Sequence, residues 1–155
     1  MYSKEESKKL TKEFWLLFDV YTQFFAKQKR TQVRWLLYKT GIKGLELKFE
    51  TANQVIGVWL EINHKSEERR FELFVDLDTY RNIINREFSD ELTWFEECVT
   101  VEGKKVSRIG IELKGVQFFN KDHWPGIFKF MAENMFRLQT NLNEILPLLK
   151  KQDTF

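Results

Sequence analysis

The sequence predicts an α+β fold. Helices cover one face of a mostly antiparallel sheet of four to five strands, in the order α-β-β(-β)-α-β-β-α, with a long C-terminal helix. Three observations carry this prediction. Apolar residues recur at helical spacing in three separated stretches. Between them lie short runs that alternate apolar and polar residues. No Gly-rich or low-complexity linker and no internal repeat divides the 155 residues, which suit one domain, 1–155.

The first helix opens on a capping box, Ser3 and Glu6, in which each side chain can satisfy an unpaired backbone N–H of the other. Leu10, Phe14, Leu17, Phe18, Tyr21, Phe24 and Phe25 then follow helical spacing and predict a helix over residues 4–27. "VRWLLYK" reads as a short strand, followed by the two-glycine turn "TGIKG". "LELKFE" places Leu45, Leu47 and Phe49 on one face and Glu46, Lys48 and Glu50 on the other. "TANQ" connects it to "VIGVWLEI", with Ile56, Val58, Leu60 and Ile62 inward and Trp59 and Glu61 outward.

Ser66 caps a second helix, predicted to end near Glu87. "TWFEECVTV" and "KVSRIGIELKGV" form a hairpin across "EGKK". Asp122 is the candidate cap of the last helix, with Pro125 in its first turn. Ile127, Met131, Met135, Leu138, Leu142, Ile145 and Leu149 make a sustained apolar stripe that suits the sheet or a second copy of the chain. Pro147 is expected to kink or end that helix.

Net charge is only +2, which gives no global attraction to nucleic acid, but the charge is unevenly placed. Residues 1–50 carry 11 bases and 6 acids, and residues 51–100 carry 5 bases and 11 acids. Six bases and no acid lie between residues 20 and 45. Arg34, Trp35, Tyr38, Lys39 and Lys43, with Lys121, are therefore the candidate binding residues, for nucleic acid or for a partner protein. An outward Trp59 marks a second candidate contact, such as a homodimer interface; the C-terminal helix is another. Asn120, Lys121, His123 and Trp124 stand at a helix entrance that favours anions.

Catalytic patterns are sparse. Glu46, Lys48, Glu61, Arg108, Glu112 and Lys114 share the outer face of the sheet, where cross-strand charge pairs are expected. The sharper reading is a Mg²⁺-dependent nuclease, with Glu46 and Glu61 as the two strand acids of a restriction-endonuclease-like order α-β-β-β-α-β. The second triplet is Glu61-Ile62-Asn63, however, so Lys48, Lys65 or Lys114 would have to replace the missing lysine. His64 and His123 have no zinc-ligand spacing, and no phosphate loop or nucleophile elbow is present, so no cofactor is expected. One cysteine, Cys98, no apolar signal segment and no long apolar run point to the cytoplasm and away from membranes.

The segments "MYSKEESKKLTKEFW", "WLLYKTGIKGLELKF", "SRIGIELKGV" and "NKDHWP" together resemble a bacterial family of domains of unknown function. The pattern W-x-x-Y-x-T-x-I-K-G, Trp35–Gly44, carries most of that resemblance. Members stand alone or follow an endonuclease-like domain in longer chains. The resemblance implies association with nucleic-acid-processing or defence systems in some members, and no activity or catalytic residue transfers from it. The sequence is thus read as a non-catalytic binding or interaction module, with the degenerate nuclease and the homodimer as alternatives.

Overall fold

The computed structural model describes residues 2–33, 35 and 38–153. The first helix, α1 (Lys4–Gln28), begins where the capping box places it: the Ser3 hydroxyl accepts from the Glu6 N–H at 3.1 Å. Phe14, Phe18, Thr22 and Phe25 line its buried face. Its opposite face leaves Leu16, Leu17, Val20 and Phe24 in solvent.

The strand expected over residues 33–39 is not seen among the residues described there. Trp35 lies in a 3-10 turn, and Val33, Tyr38 and Lys39 are irregular; Arg34, Leu36 and Leu37 lie outside the described residues. The reason is tertiary. The Trp35 ring drops into the core against Phe18, Phe25 and Phe49, and its Nε1–H donates to Gln139 at 2.8 Å. A large ring that finds such a slot outweighs the weak strand propensity of a short run.

The turn "TGIKG" is tied by Thr40, which is 3% exposed. Its Oγ1 accepts from the Ile42 N–H at 3.1 Å and donates to the Leu45 carbonyl at 2.8 Å. Gly44 follows at φ +82°, where an added Cβ would also strike the backbone of His64. Thr40→Val keeps the shape but strands the Ile42 N–H. We expect it to cost about 1–2 kcal/mol, read from the denaturant midpoint at unchanged slope.

Four strands follow the predicted alternation: β1 (Leu45–Glu50), β2 (Ile56–Ile62), β3 (Thr93–Val99) and β4 (Lys105–Leu113). They form one antiparallel sheet in the order β1-β2-β4-β3, so two hairpins are joined along β2 and β4. The β1–β2 pair sets Glu46 opposite Glu61 and Lys48 opposite Trp59. The β2–β4 pair sets Trp59 opposite Gly110 and Glu61 opposite Arg108. β3 carries a bulge between Phe95 and Cys98, which bends the strand and sharpens its twist.

The second predicted helix is broken. α2 (Glu67–Thr79) starts at the Ser66 cap but stops at Tyr80, and a short α3 (Arg81–Ile84) follows. Asn141 reaches from the last helix to the carbonyls of Ile84 and Arg86 at 2.9 and 2.8 Å. Trp94 donates to Asn85 at 3.0 Å. These bonds anchor the end of the helical stretch, and the break at Tyr80 lets them form.

The last helix, α4 (Trp124–Asp153), differs from expectation at two points. Asn120, not Asp122, supplies the cap; its side chain accepts from the Asp122 N–H and opens a 3-10 turn before the helix. Pro147 does not end the helix. It sits on the exposed side, where the carbonyl it deprives can turn to water. The predicted stripe from Ile127 to Leu149 is wholly buried and joins β1, β2 and α1 in one core. Among the described residues no helix is long and apolar enough to cross a membrane.

Candidate functional site

On the sheet face away from the helices, alternation gathers Glu46, Lys48 and Glu50 from β1, Trp59 and Glu61 from β2, and Arg108 from β4. All of these but Trp59 line a groove of about 980 Å³, together with Asn63, His64, Lys65, Arg70 and the β3–β4 turn. The expected charge pairs exist, but they are not all solvated. The Glu61 side chain is 2% exposed.

Glu61 is held by four donors. One carboxylate oxygen accepts from Lys48 Nζ and Asn63 Nδ2, each at 2.9 Å. The other accepts from Arg108 Nε and a terminal guanidinium nitrogen, at 3.2 and 3.1 Å. Arg108 also bonds Glu50 at 2.8 Å, and Asn63 spans to Glu46 at 3.2 Å. Burial alone would raise the Glu61 pKa. The bonds from Lys48 and Asn63, with the charges of Lys48 and Arg108, outweigh it and hold the carboxyl below its usual range.

Trp59 faces outward as predicted, yet it is 1% exposed rather than a solvent-facing ring. The indole lies flat on β2 and β4, in a slot opened by two glycines. A Cβ at Gly57 would collide with the indole Nε1, and one at Gly110 would collide with the Val58 carbonyl oxygen and approach Trp59 Cε3 at 2.7 Å. Arg108 and Phe95 flank the ring at 5.5 and 6.0 Å. The cost is one buried side-chain N–H, Trp59 Nε1, with no hydrogen-bond partner among the described residues.

A second groove, of about 840 Å³, runs along the other side of β1 between the strand and residues 38–44. Trp15, Trp35, Tyr38, Lys39, Lys43 and residues 45–49 line it. β1 is an edge strand. The Asn63 N–H bonds the Gly44 carbonyl at 2.8 Å, so Glu46, Lys48 and Glu50 exchange bonds with β2. The N–H and C=O groups of Leu45, Leu47 and Phe49 therefore point to the edge. Leu45 is satisfied there by Ile42 and Thr40. Leu47 and Phe49 have no such partner among the described residues.

The basic binding candidates are not one surface in the described residues. Lys39 and Lys43 are exposed on the second groove. Tyr38 is half-buried and donates to Asn143. Trp35 is a core residue. Lys121 lies elsewhere, paired with Glu13 at 2.8 Å and 5.8 Å above the Trp124 ring. Arg34 falls outside the described residues. At the helix entrance, His123 Nδ1 accepts from the Gln117 N–H and Trp124 is buried, donating to the Phe118 carbonyl at 2.6 Å. His64 likewise accepts from the Ser66 N–H. The Cys98 thiol is half-buried, and burial raises its pKa.

Glu46 and Glu61 do stand side by side, as the nuclease reading requires, with Lys48 touching both at 3.4 and 2.9 Å. But the place between the acids is filled by Lys48 and Asn63. Among the described residues no group of three or more His, Cys, Asp or Glu side chains could hold a metal ion. The element order also departs from α-β-β-β-α-β, with two strands rather than three before α2 among the described residues. Sequence reasoning missed four contributors, Asn63, Thr40, Gly57 and Gly110, because their roles appear only once register is fixed.

Fold and site together define a two-layer α+β domain whose sheet carries on its outer face a charge cluster built around the buried Glu61, with an edge strand beside it. Residues 10–146 match the family described as Domain of unknown function (DUF4268), and the chain belongs to that family. No curated protein and no solved structure matches the chain.

Proposed function

We propose that the protein is a non-catalytic binding module that takes an extended segment of a partner protein along the free edge of β1. The observation that carries this reading is the pair of backbone positions, Leu47 and Phe49, that have no partner among the described residues and face a groove already walled by residues 38–44. A strand added there would gain main-chain hydrogen bonds, with Tyr38 and Trp15 offering apolar contact. Lys39 and Lys43 at the rim favour an acidic segment. The same two lysines would also favour nucleic acid, which is the weaker reading, since the groove's rings are turned into the core or hydrogen-bonded. Catalysis by Glu46 and Glu61 is weaker still, because both oxygens of Glu61 are already engaged by Lys48, Asn63 and Arg108. The single cysteine and the family resemblance are in keeping with a bacterial cytoplasmic setting.

The test is amide exchange followed residue by residue, with and without peptides selected from an extended-peptide library. In the free protein the Leu47 and Phe49 amides should exchange much faster than those of Lys48 and Trp59. A bound acidic peptide should slow them, and Lys39→Glu with Lys43→Glu should weaken binding at least tenfold. Equal protection of all β1 amides in the free protein, or binding that leaves Leu47 and Phe49 unchanged, rejects this site.

A further inference from the structure

The solvent side of α1 carries an apolar stripe beside Lys12, Asp19 and Gln23, where a solvated helix should be polar throughout. Leu16 is 62% exposed, Val20 48% and Phe24 65%, and these three recur every four residues. Leu17, 43% exposed, widens the stripe. Nothing among the described residues covers it. At its two ends stand opposite charges, Glu13 and Lys27. Both are spaced seven residues from Val20, so they lie close to the same face.

This spacing is self-complementary in one orientation only. We propose that α1 is the contact face of a homodimer, packed antiparallel against α1 of a second copy, with the two-fold axis at Val20. Residue i then meets residue 40 minus i of the copy. Val20 meets Val20, Leu16 meets Phe24, and Glu13 meets Lys27 at both ends. A parallel pair would instead set Glu13 against Glu13 and Lys27 against Lys27. The contact stretch from Glu13 to Lys27 is about 21 Å long, enough for four layers of side chains at ordinary helix packing distance. Within its own chain Glu13 accepts from Lys121 through Oε1 alone, which leaves the second oxygen for Lys27 of the copy. A stripe of this size is small beside a standard interface of about 800 Å² per partner, so the dimer is a weak one that forms with rising concentration.

The experiment measures the mass of the full chain by sedimentation equilibrium from about 1 μM to about 1 mM. Val20→Glu should raise the dissociation constant at least tenfold while the circular dichroism spectrum is unchanged, since Val20 touches solvent. Glu13→Lys and Lys27→Glu should each weaken self-association, because each sets like charges together at both ends of the pair. Mixed in equal amounts they should associate as a heterodimer, since both ends are then opposite in charge. A monomer over the whole range, an unchanged dissociation constant for Val20→Glu, or failure of the mixed variants to pair would overturn the proposal. So would binding of a monomer through this stripe to vesicles of phosphatidylcholine and phosphatidylglycerol in equal parts.

Discussion

Replacing Glu61 by Ala should destabilise the fold by about 3 kcal/mol, because it leaves Arg108 largely buried and strips Lys48 and Asn63 of their shared acceptor. Glu50 still neutralises part of the Arg108 charge, which keeps the loss near the lower end for a broken buried pair. Arg108→Ala should cost a comparable amount. The double variant should cost less than the sum of the two, since each single change already breaks the same contact. Strict additivity in the cycle would show that the two groups do not act together. The acid limb of stability follows from the same group. The Glu61 pKa is lower in the folded chain than the reference value of 4.5. Its contribution is therefore complete above that value and is lost as pH falls through the folded pKa. Glu61→Gln should flatten the decline in unfolding free energy below about pH 5. An unchanged acid limb would place the decline in other carboxylates.

Gly110→Ala should have the larger effect, more than about 3 kcal/mol, and should reduce the yield of folded protein. The new methyl would meet the Val58 carbonyl oxygen, a backbone atom of a central strand that cannot move without breaking the β2–β4 ladder. Gly57→Ala meets only the edge of the Trp59 indole and should be milder, since a ring can tilt where a strand cannot. Gly126→Ala in α4, whose Cβ would meet nothing within 4 Å, is the control and should leave stability unchanged or slightly raised. If Gly110→Ala unfolds at the same denaturant concentration as Gly126→Ala, the slot described for Trp59 is wrong.

The elements were legible where one local rule governs them. Ser3 and Ser66 cap their helices, the alternation in "LELKFE" and "VIGVWLEI" assigns the sheet faces, and the stripe from Ile127 to Leu149 is buried as spaced. What was not legible depended on residues far apart. Trp35 is drawn from a strand-like run by Gln139 and three Phe rings. The helix after Ser66 breaks so that Asn141 can reach Ile84 and Arg86. For the site, the sequence put Glu46, Lys48, Glu61 and Arg108 on one face, but not the burial of Glu61. That burial follows from Lys48, Asn63 and Arg108 closing over the carboxylate from two neighbouring strands and the end of its own, which no local pattern reports. Trp59 was expected to be exposed because alternation turns it away from the helices. It is buried because two glycines, one of them on another strand, make room for it.

The pairing of Trp59 with Gly110 also bears on how the two hairpins find each other. Each hairpin can form from neighbouring residues, whereas joining β2 to β4 closes a loop of more than forty residues. A slide of one residue would turn the inward side chains outward, so the rival alignments to be feared are shifts of two, which preserve the faces. Such a shift would set Trp59 against Arg108 or Glu112, where no space exists for a flat indole. It would also set Glu61 against Val106 or Gly110, where no cation waits. Ring and gap, acid and base, thus act as two teeth of one key, spaced two residues apart on each strand. The price is an unbonded indole N–H, and the gain is that the halves of the sheet lock in a single alignment.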